Sequence, residues 1–291
     1  MLIRSPLMSF GKALPARFGD VRSHDVRRLI ASLIICAAGD IHGDLDRMYA
    51  GVLAFEAALS VRFDWVLHVG DFGVWPDSAR VDGATRRHDG AGDFPTWFAK
   101  RRAAPRPTLF IKGNREDFVW LDAQPTSEVL PGLHYLRNGG VKELVVGAEI
   151  LRVGGIGGCY GPSNFERQSS TLEGYAKRHY TRDELATLSE HADLDIVLTH
   201  DAPAGVRFER HRRGEGFISE AAGLDELLER TEPRVGFFGH HHTRVDAEVA
   251  GVRCFGLNKG HYPGCLIPID MKPGERTWRL LGEWPQREPH Q

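Results

Sequence analysis

Five short apolar runs in this chain each lead directly into a turn that carries carboxylate, amide or imidazole side chains. The turns are Gly39-Asp40-Ile41-His42-Gly43, Gly70-Asp71, Gly113-Asn114, Thr199-His200-Asp201 and Gly239-His240-His241-His242. A short apolar run bounded by turn residues is typical of a buried β-strand. The sequence therefore predicts a core built on sheets, with polar side chains collected where the strands end.

Helical periodicity follows the first of these runs, and strand-like segments fill the middle of the chain. Apolar residues recur at helical spacing from Leu45 to Leu59. Residues 134–153 favour a meander of short strands, and Thr181 followed by acidic residues is typical of a helix start. With β-α-β units late in the chain, this order predicts an α/β fold in which two layered sheets have helices outside.

The chain is predicted to form one domain with an extension before it. Residues 1–31 are rich in arginine, serine and small residues without steady periodicity, which favours an N-terminal extension that is partly disordered. Residues 32–285 are predicted to form a single domain, with a substrate loop at about 158–182. Residues 27–38 resemble a signal peptide, but cleavage there would fall directly before Asp40, so we interpret residues 33–38 as a strand.

The composition of the 291 residues limits the class of protein. Hydrophobic residues make up 42% and charged residues 26%, as in ordinary soluble globular domains. The net charge of -2 gives no overall basic surface for nucleic acid, and no apolar stretch approaches the ~20 residues of a membrane span. Four cysteines without C-x-x-C spacing argue against a zinc finger and favour a reducing, cytoplasmic setting: Cys36, Cys159, Cys254 and Cys265.

The side chains in the five turns are of the types that bind Mn²⁺, Fe or Zn²⁺. The seven candidate ligands are Asp40, His42, Asp71, Asn114, His200, His240 and His242. Any one of these turns could arise by chance or serve only the structure. The occurrence of all five in order, each after a buried run, is poorly explained in that way. A carboxylate can bridge two cations, and Asp71 is the natural candidate. The set predicts two divalent metal ions (Mn, Fe or Zn), an arrangement suited to attack on phosphate esters.

Taken together, the five turns resemble the signature of the calcineurin-like metallophosphoesterase superfamily, and the resemblance covers about residues 33–265. It implies a four-layer sandwich of two mixed β-sheets flanked by helices, and a metal-dependent phosphoric ester hydrolase. Carried over to this chain, it implies that one metal is held by Asp40, His42, Asp71 and His242. The other would be held by Asp71, Asn114, His200 and His240, so that Asp71 is the bridging ligand.

Within that superfamily the middle of the chain is most similar to RNA lariat debranching enzymes. Four segments occur in the same order in those enzymes: residues 109–114, 134–136, 150–158 and 199–203. In the debranching enzymes the segment after the glycine-rich strand end recognises branched RNA, and it corresponds here to residues 158–182. The resemblance implies a phosphodiesterase that acts on RNA or a nucleotide through a metal-activated hydroxide.

Two positions depart from the pattern of these relatives. Asp40 stands where the debranching enzymes often have cysteine, and Arg115 stands where the family has a histidine beside the leaving group. An arginine cannot donate a proton near neutral pH, but it can hold a phosphate through paired hydrogen bonds. We therefore predict Asn114 and Arg115 as catalytic residues, and Arg115, Tyr160 and His241 as substrate-binding residues.

Another group must then protonate the leaving group, and the candidates are His88, His179, His241 and solvent.

Two functions other than a phosphodiesterase stay open. A phosphomonoesterase, including a protein phosphatase, is weakened by the missing histidine at position 115, because an alkyl leaving group most needs an acid. The second alternative function is that of a phosphoesterase-like scaffold without activity. The retention of all seven candidate ligands argues against this function. The natural substrate, the native metal and the oligomeric state are left open by the sequence.

Overall fold

The computed structural model describes residues 32–88, 92–146, 149–209, 215–272 and 275–284. The predicted extension over residues 1–31 lies outside the described residues, and the domain boundaries stay predictions. The strands are β1 (Leu33–Ala38), β2 (Trp65–His68), β3 (Thr108–Ile111), β4 (Glu128–Leu130), β5 (Leu133–Leu136), β6 (Val141–Val146), β7 (Glu149–Ile156), β8 (Ile196–Thr199), β9 (Arg207–Phe208), β10 (Phe217–Ile218), β11 (Val235–Phe238), β12 (Val245–Val249), β13 (Val252–Gly256), β14 (Leu266–Met271) and β15 (Trp278–Leu280). The helices are α1 (Leu45–Leu59), α2 (Asp93–Lys100), α3 (Phe118–Asp122), α4 (Pro162–Phe165), α5 (Arg182–Ser189) and α6 (Leu224–Thr231).

Seven strands form the first sheet, in the order β15-β14-β1-β2-β3-β5-β4. The four central strands β1, β2, β3 and β5 are parallel, whereas the outer strands β14, β15 and β4 pair antiparallel with their neighbours. The register pairs Ala38 with His68 and His68 with Phe110. As a result, β1, β2 and β3 end side by side at one edge of the sheet.

Six strands form the second sheet, in the order β12-β13-β11-β8-β7-β6. Its central strands β13, β11, β8 and β7 are parallel, and β12 and β6 pair antiparallel at the two edges. Phe238 pairs with Thr199, so that β8 and β11 also end level with each other. A separate hairpin is formed by β9 and β10.

The central strands of both large sheets are buried on both faces, which explains why these strands are almost continuously apolar. Along β1, Ile35 and Ala37 belong to the core shared with the second sheet, whereas Cys36 and Ala38 belong to the core formed with α1 and α2. The outer face of the second sheet packs against α5 and α6. The molecule therefore has four layers, helix, sheet, sheet and helix, which confirms the α/β sandwich predicted from the sequence.

Several local elements match the sequence pattern and others do not. Helix α1 has the predicted bounds, and α5 begins after Thr181 with a capping box formed by Thr181 and Glu184. The short elements α3, β4 and the β9–β10 hairpin are not predicted, because they contain too few residues to show a period. Residues 76–95 are polar and glycine-rich, which favours a surface loop; the structure places 3₁₀ turns at Ser78–Arg80 and Thr85–Arg87, and α2 begins at Asp93. Among the described residues, no helix combines the length and apolar character that crossing a membrane requires.

Candidate metal centre

The five turns predicted to carry ligands all follow parallel strands near the middle of the two sheets. In the first sheet, β1, β2 and β3 lead to Asp40 and His42, to Asp71, and to Asn114. In the second sheet, β8 and β11 lead to His200, and to His240 and His242. Contacts between Asp40 and His242, and between Asp71 and His200, show that these ends of the two sheets meet.

Four of the predicted ligands form a compact cluster. Asp40, His42, Asp71 and His242 each present one ligand atom, and these four atoms lie within 4.8 Å of one another. The Nε2 atoms of His42 and His242 are 3.0 Å apart, and His242 Nε2 is 3.0 Å from Asp40 Oδ2. His42 Nδ1 lies 3.5 Å from an Asp71 oxygen without a hydrogen bond. Two turns of the first sheet and one of the second thus contribute to a single group of ligand atoms.

The other three predicted ligands lie next to this cluster. His200 Nε2 is 3.2 Å from Asn114 Oδ1 and 3.7 Å from Asp71 Oδ1. His200 Nδ1 is 2.8 Å from the Val69 carbonyl oxygen, and a proton on Nδ1 leaves the lone pair of Nε2 directed at Asn114 and Asp71. The ring of His240 is centred 5.0 Å from that of His200, and its backbone N–H donates to Asp40. The structure therefore brings all seven predicted ligands into one region.

The backbone at several of these positions has an unusual conformation. The φ angles of His42, Asp71, His240 and His242 lie between 50° and 64°, in the left-handed region that side chains other than glycine rarely adopt. Among the described residues, eight non-glycine positions have a positive φ, and half of them are these four candidate ligands. Such strain concentrates at functional sites, where the surrounding structure holds it in place.

Burial keeps three of the candidate histidine ligands uncharged. It lowers the pKa of His42 to about 2 and the pKa of His240 to about 3, and it also lowers the pKa of His200. A neutral imidazole has a lone pair available, and this is the form that coordinates a metal. These three side chains are therefore in their metal-binding state at neutral pH.

The two carboxyl groups of the cluster respond differently to their surroundings. Burial raises the pKa of Asp71, and the nearby carboxyl groups of Asp40 and Glu116 raise it further. Burial also opposes ionisation of Asp40, but its hydrogen bond with His242 and the neighbouring imidazoles bring the pKa of Asp40 below its usual range. Two buried carboxyl groups this close together favour a cation between them, because a cation removes the cost of ionising both.

The donor set fits a divalent cation. His42 and His242 face each other through Nε2 atoms that can share at most one proton, and Asp40 Oδ2 lies 3.0 Å from the same Nε2 of His242. Asn114 turns its amide oxygen toward His200, while the reversed amide would donate to Asp71 and His200. Lone pairs that converge without enough protons between them are a typical environment for a metal ion.

The buried side chain of Glu116 holds two of the ligand turns in place through hydrogen bonds to their backbone. Its carboxylate accepts hydrogen bonds from the backbone N–H groups of Phe72, Gly73 and Val74 at 2.6–3.1 Å. The Gly113 N–H donates to the same carboxylate at 3.5 Å. One side chain thus fixes the turn after Asp71 and the turn that carries Asn114. This role is not predicted from the sequence, where Glu116 is only the residue after Arg115.

A cavity of about 380 Å³ opens beside the cluster. Its wall includes His42, Asp71, Asn114, His240 and His242, together with the cationic side chains of Arg87, Arg115 and Lys259. Arg87 and Lys259 are not predicted as site residues, because they come from loops that show no motif. Three cationic side chains around a cluster of metal-ligand type form a surface suited to a phosphate group.

Arg115 is held at this cavity by two other side chains. Its Nη1 donates to the Tyr175 hydroxyl at 2.9 Å and lies 3.7 Å from Asp82 Oδ1. Tyr175 comes from the segment 158–182 that was predicted to bind substrate. The guanidinium is 28% exposed, so it can still reach a bound anion.

The structure places the other two predicted substrate-binding residues away from this wall. The Tyr160 ring packs against Phe165 and Tyr180, and the His241 ring packs against Phe208, with Nε2 3.0 Å from Asp201 Oδ1. Neither is found among the described residues that line the cavity. Their role in substrate binding stays a prediction without support from the cavity.

The histidines named as candidate proton donors also differ in position. His88 lines the cavity and stacks on His42, with ring centroids 3.8 Å apart. The ring of His179 is buried beside Cys159, where its Nδ1 lies 3.1 Å from the carbonyl oxygen. Of the three histidines, only His88 is among the described residues that line this cavity.

Comparison with known proteins agrees with this arrangement. The family model of the calcineurin-like phosphoesterases matches residues 33–244, a range that contains all seven candidate ligands. The chain belongs to this family. Membership confirms the recognition made from the sequence and the enzyme class, since the family is one of phosphoester hydrolases. The Asp and His cluster has the composition and spacing of a site for a divalent metal ion.

Similar curated proteins point to one branch of the phosphoesterase family. A lariat debranching enzyme of Arabidopsis thaliana is 28% identical over 242 residues, which cover 74% of this chain and 56% of that enzyme. A lariat debranching enzyme of Entamoeba histolytica is 24% identical over 282 residues, covering 86% of this chain and 78% of that enzyme. The debranching-like pattern is therefore confirmed, although the chain spans only about half the length of the plant relative.

A solved structure supports the fold. The calcineurin-like phosphoesterase YfkN of Bacillus subtilis matches with a TM-score of 0.50 and 13% identity, covering 87% of this chain and 89% of that structure. At this identity the match shows a shared fold.

Proposed function

We propose that this chain is a binuclear-metal phosphodiesterase that acts on RNA or a nucleotide. The observation that carries the proposal is the position of Arg115, Arg87 and Lys259 around one cavity with the Asp and His ligand cluster. A cluster of this kind suits metal ions, and the cationic wall suits the phosphate on which they act. The lariat debranching relatives support RNA as the substrate class.

We propose that two ions, Mn, Fe or Zn, occupy the cluster. Asp40, His42, Asp71 and His242 would hold one, and Asp71, Asn114, His200 and His240 would hold the other. Two such cations supply hydroxide at neutral pH and offset the charge of the phosphate. Asp71 would serve both ions, and the positions of its two oxygens, one near His42 and one near His200, support this role.

The side chains of the protein then bind and orient the phosphate. The Asn114 amide and the Arg115 guanidinium line the cavity together and would hydrogen-bond the non-bridging oxygens, where charge increases during the reaction. Arg87 and Lys259 would add positive charge from the opposite loops. Because Tyr175 and Asp82 already fix the Arg115 side chain, little side-chain entropy is lost when the phosphate binds.

The presence of Arg115 at this position also predicts which leaving groups are favoured. Arg115 stays protonated and cannot transfer its proton to the departing oxygen. We therefore expect esters with a good leaving group to be hydrolysed faster than simple alkyl esters. A reducing, cytoplasmic compartment is also proposed, because all four cysteines are buried and free.

The proposal is tested by metal analysis and hydrolysis of model esters. The purified protein should contain close to two metal ions per chain and hydrolyse bis-p-nitrophenyl phosphate faster than the p-nitrophenyl monoester when Mn²⁺ is supplied. Asp71→Asn should lose both metal and activity, whereas Asp225→Asn on α6 serves as the matched control. Branched 2′,5′ RNA, cyclic nucleotides and linear RNA would then be compared as substrates.

Two results would contradict the proposal. Faster hydrolysis of the monoester would favour a phosphomonoesterase or protein phosphatase. A protein that binds no metal and hydrolyses neither ester would favour a scaffold without activity.

A further inference from the structure

A second cavity adjoins the one described above. Its volume is about 200 Å³, and Asn114 and Arg115 contribute to the walls of both cavities. A group bound there would therefore contact the same Arg115 side chain as the phosphate. The phosphodiesterase function proposed above does not assign any role to it.

The wall of the second cavity is largely apolar and partly aromatic. Val119 and Tyr175 line it and are unusually exposed for their type, at 55% and 52%. Phe118 and Trp75 complete the apolar part of the wall. The Arg178 guanidinium lies 4.1 Å from the centre of the Tyr175 ring and steadies that side chain. An exposed aromatic ring beside a phosphate site is a surface on which an unpaired base can stack.

Two polar atoms on residues of this wall have no partner among the described residues. Trp75 is 8% exposed, and its indole Nε1 makes no hydrogen bond. Asp117 is 2% exposed; its Oδ1 accepts from Arg80 and from the Trp120 backbone, but its Oδ2 has no partner. Buried polar groups without partners are rare, but these two atoms expose almost no surface even though both residues line the second cavity, so the apolar and aromatic side chains of the wall would carry the contact with a ligand.

We propose that the second cavity is a subsite for the nucleobase next to the scissile phosphate. The base would lie against Tyr175 and Val119. Every base has a face that can stack on an aromatic ring, so the subsite recognises a base without selecting one. This inference rests on the proposed function, because it concerns the same substrate.

Arg115 connects the two cavities. Its Nη1 is bound to Tyr175 Oη, so the group that contacts the phosphate also positions the ring that contacts the base. Stacking on Tyr175 thereby places the phosphate of the same nucleotide near the metal ligands. A ligand that has both a base and a phosphate engages both cavities at once.

The direct test is binding, measured by titration calorimetry on the Mn²⁺-loaded protein. Adenosine 5′-monophosphate should bind more tightly than ribose 5-phosphate, which lacks only the base. Tyr175→Ala should weaken the nucleotide about tenfold by loss of stacking, with a smaller effect on ribose 5-phosphate. Tyr175→Phe is the matched control, since it keeps the ring and removes only the bond to Arg115. Circular dichroism of both Tyr175 variants would verify that the fold is retained, which is expected because Tyr175 is exposed.

A kinetic comparison separates this inference from the proposed function. The two substrates are the p-nitrophenyl phosphodiesters of adenosine and of methanol, which share a leaving group. The ratio of their kcat/KM values should favour the nucleoside in the wild type and fall in Tyr175→Ala. If both esters are hydrolysed with a kcat/KM ratio near one, and adenosine 5′-monophosphate and ribose 5-phosphate bind equally, the base subsite is overturned and the phosphodiesterase function stands. Hydrolysis of neither ester, with tighter nucleotide binding that still depends on Tyr175, would overturn the proposed function and retain the subsite.

Discussion

Gly113 packs against Asp71 so closely that a methyl group on Gly113 would lie 2.0 Å from the Asp71 backbone nitrogen. The same methyl group would come within 2.1 Å of an Asp71 carboxylate oxygen. The turns after β2 and β3 can therefore approach each other only because position 113 has no side chain. This contact sets the distance between Asp71 and Asn114.

The first prediction concerns Gly113→Ala. The added methyl group must displace Asp71, so we expect metal affinity to fall by at least about 10–100-fold, as for other changes that misplace a metal ligand. Isothermal titration with Mn²⁺ measures the effect. Gly83→Ala is the matched control, because a side chain there would meet nothing within 4 Å. Unchanged metal affinity in Gly113→Ala would contradict the role of this contact.

The second prediction concerns Glu116→Gln. The amide keeps the size of the side chain, but its NH₂ group faces backbone N–H donors that the carboxylate now accepts from. We expect a loss of about 1–3 kcal/mol in the free energy of unfolding and weaker metal binding, measured by urea denaturation and calorimetry. Glu226→Gln, on the exposed side of α6, is the control. Full metal affinity together with lower stability would limit Glu116 to a structural role.

The third prediction concerns Arg115 as a phosphate-binding residue. Arg115→Ala should raise KM for bis-p-nitrophenyl phosphate by about tenfold or more, because a charge-assisted hydrogen bond is lost. Arg115→Lys should restore only part of the affinity, since a lysine cannot form paired hydrogen bonds. Steady-state kinetics with Arg230→Ala as the control would show this order. Equal KM values for all four proteins would argue that Arg115 does not contact the phosphate.

The fourth prediction concerns pH and the buried His68. Burial lowers the pKa of His68 from 6.5 to about 3, so between these values the unfolded chain binds a proton there that the folded chain does not. Stability of the metal-free protein should therefore fall as the pH drops below 6.5. His68→Gln should reduce this slope by about 1.4 kcal/mol per pH unit.

Urea denaturation between pH 6.5 and 5, with a chelator present, measures both slopes. Exposed His191→Gln is the matched control. An identical slope in the wild type and in His68→Gln would show that His68 is already charged in the folded protein.

The sequence predicts the ligands of the site better than their surroundings. The ligand turns are recognisable because β1, β2 and β3 are buried on both faces and so read as continuous apolar runs that stop abruptly at Asp40, Asp71 and Asn114. The fold class follows from the same runs and from the helical period of α1. These signals are local, and a single sequence contains them.

The rest of the site depends on contacts between distant segments. Glu116 accepts hydrogen bonds from three N–H groups that precede it by more than forty positions. Arg87 and Lys259 are far apart in the sequence, and both line the same cavity. The aromatic segment 158–182 was predicted to bind substrate as a whole. In the structure Tyr160 packs inward while Tyr175 reaches Arg115, a division that composition alone does not reveal.

The candidate ligands come from β1, β2 and β3 in one sheet and from β8 and β11 in the other. Bound cations would therefore bridge the two sheets at the edge where their strands end, and no disulfide joins the sheets among the described residues. Separation of the sheets at this edge would require release of the ions, so the metal-loaded protein should unfold more slowly under an applied force than the metal-free protein.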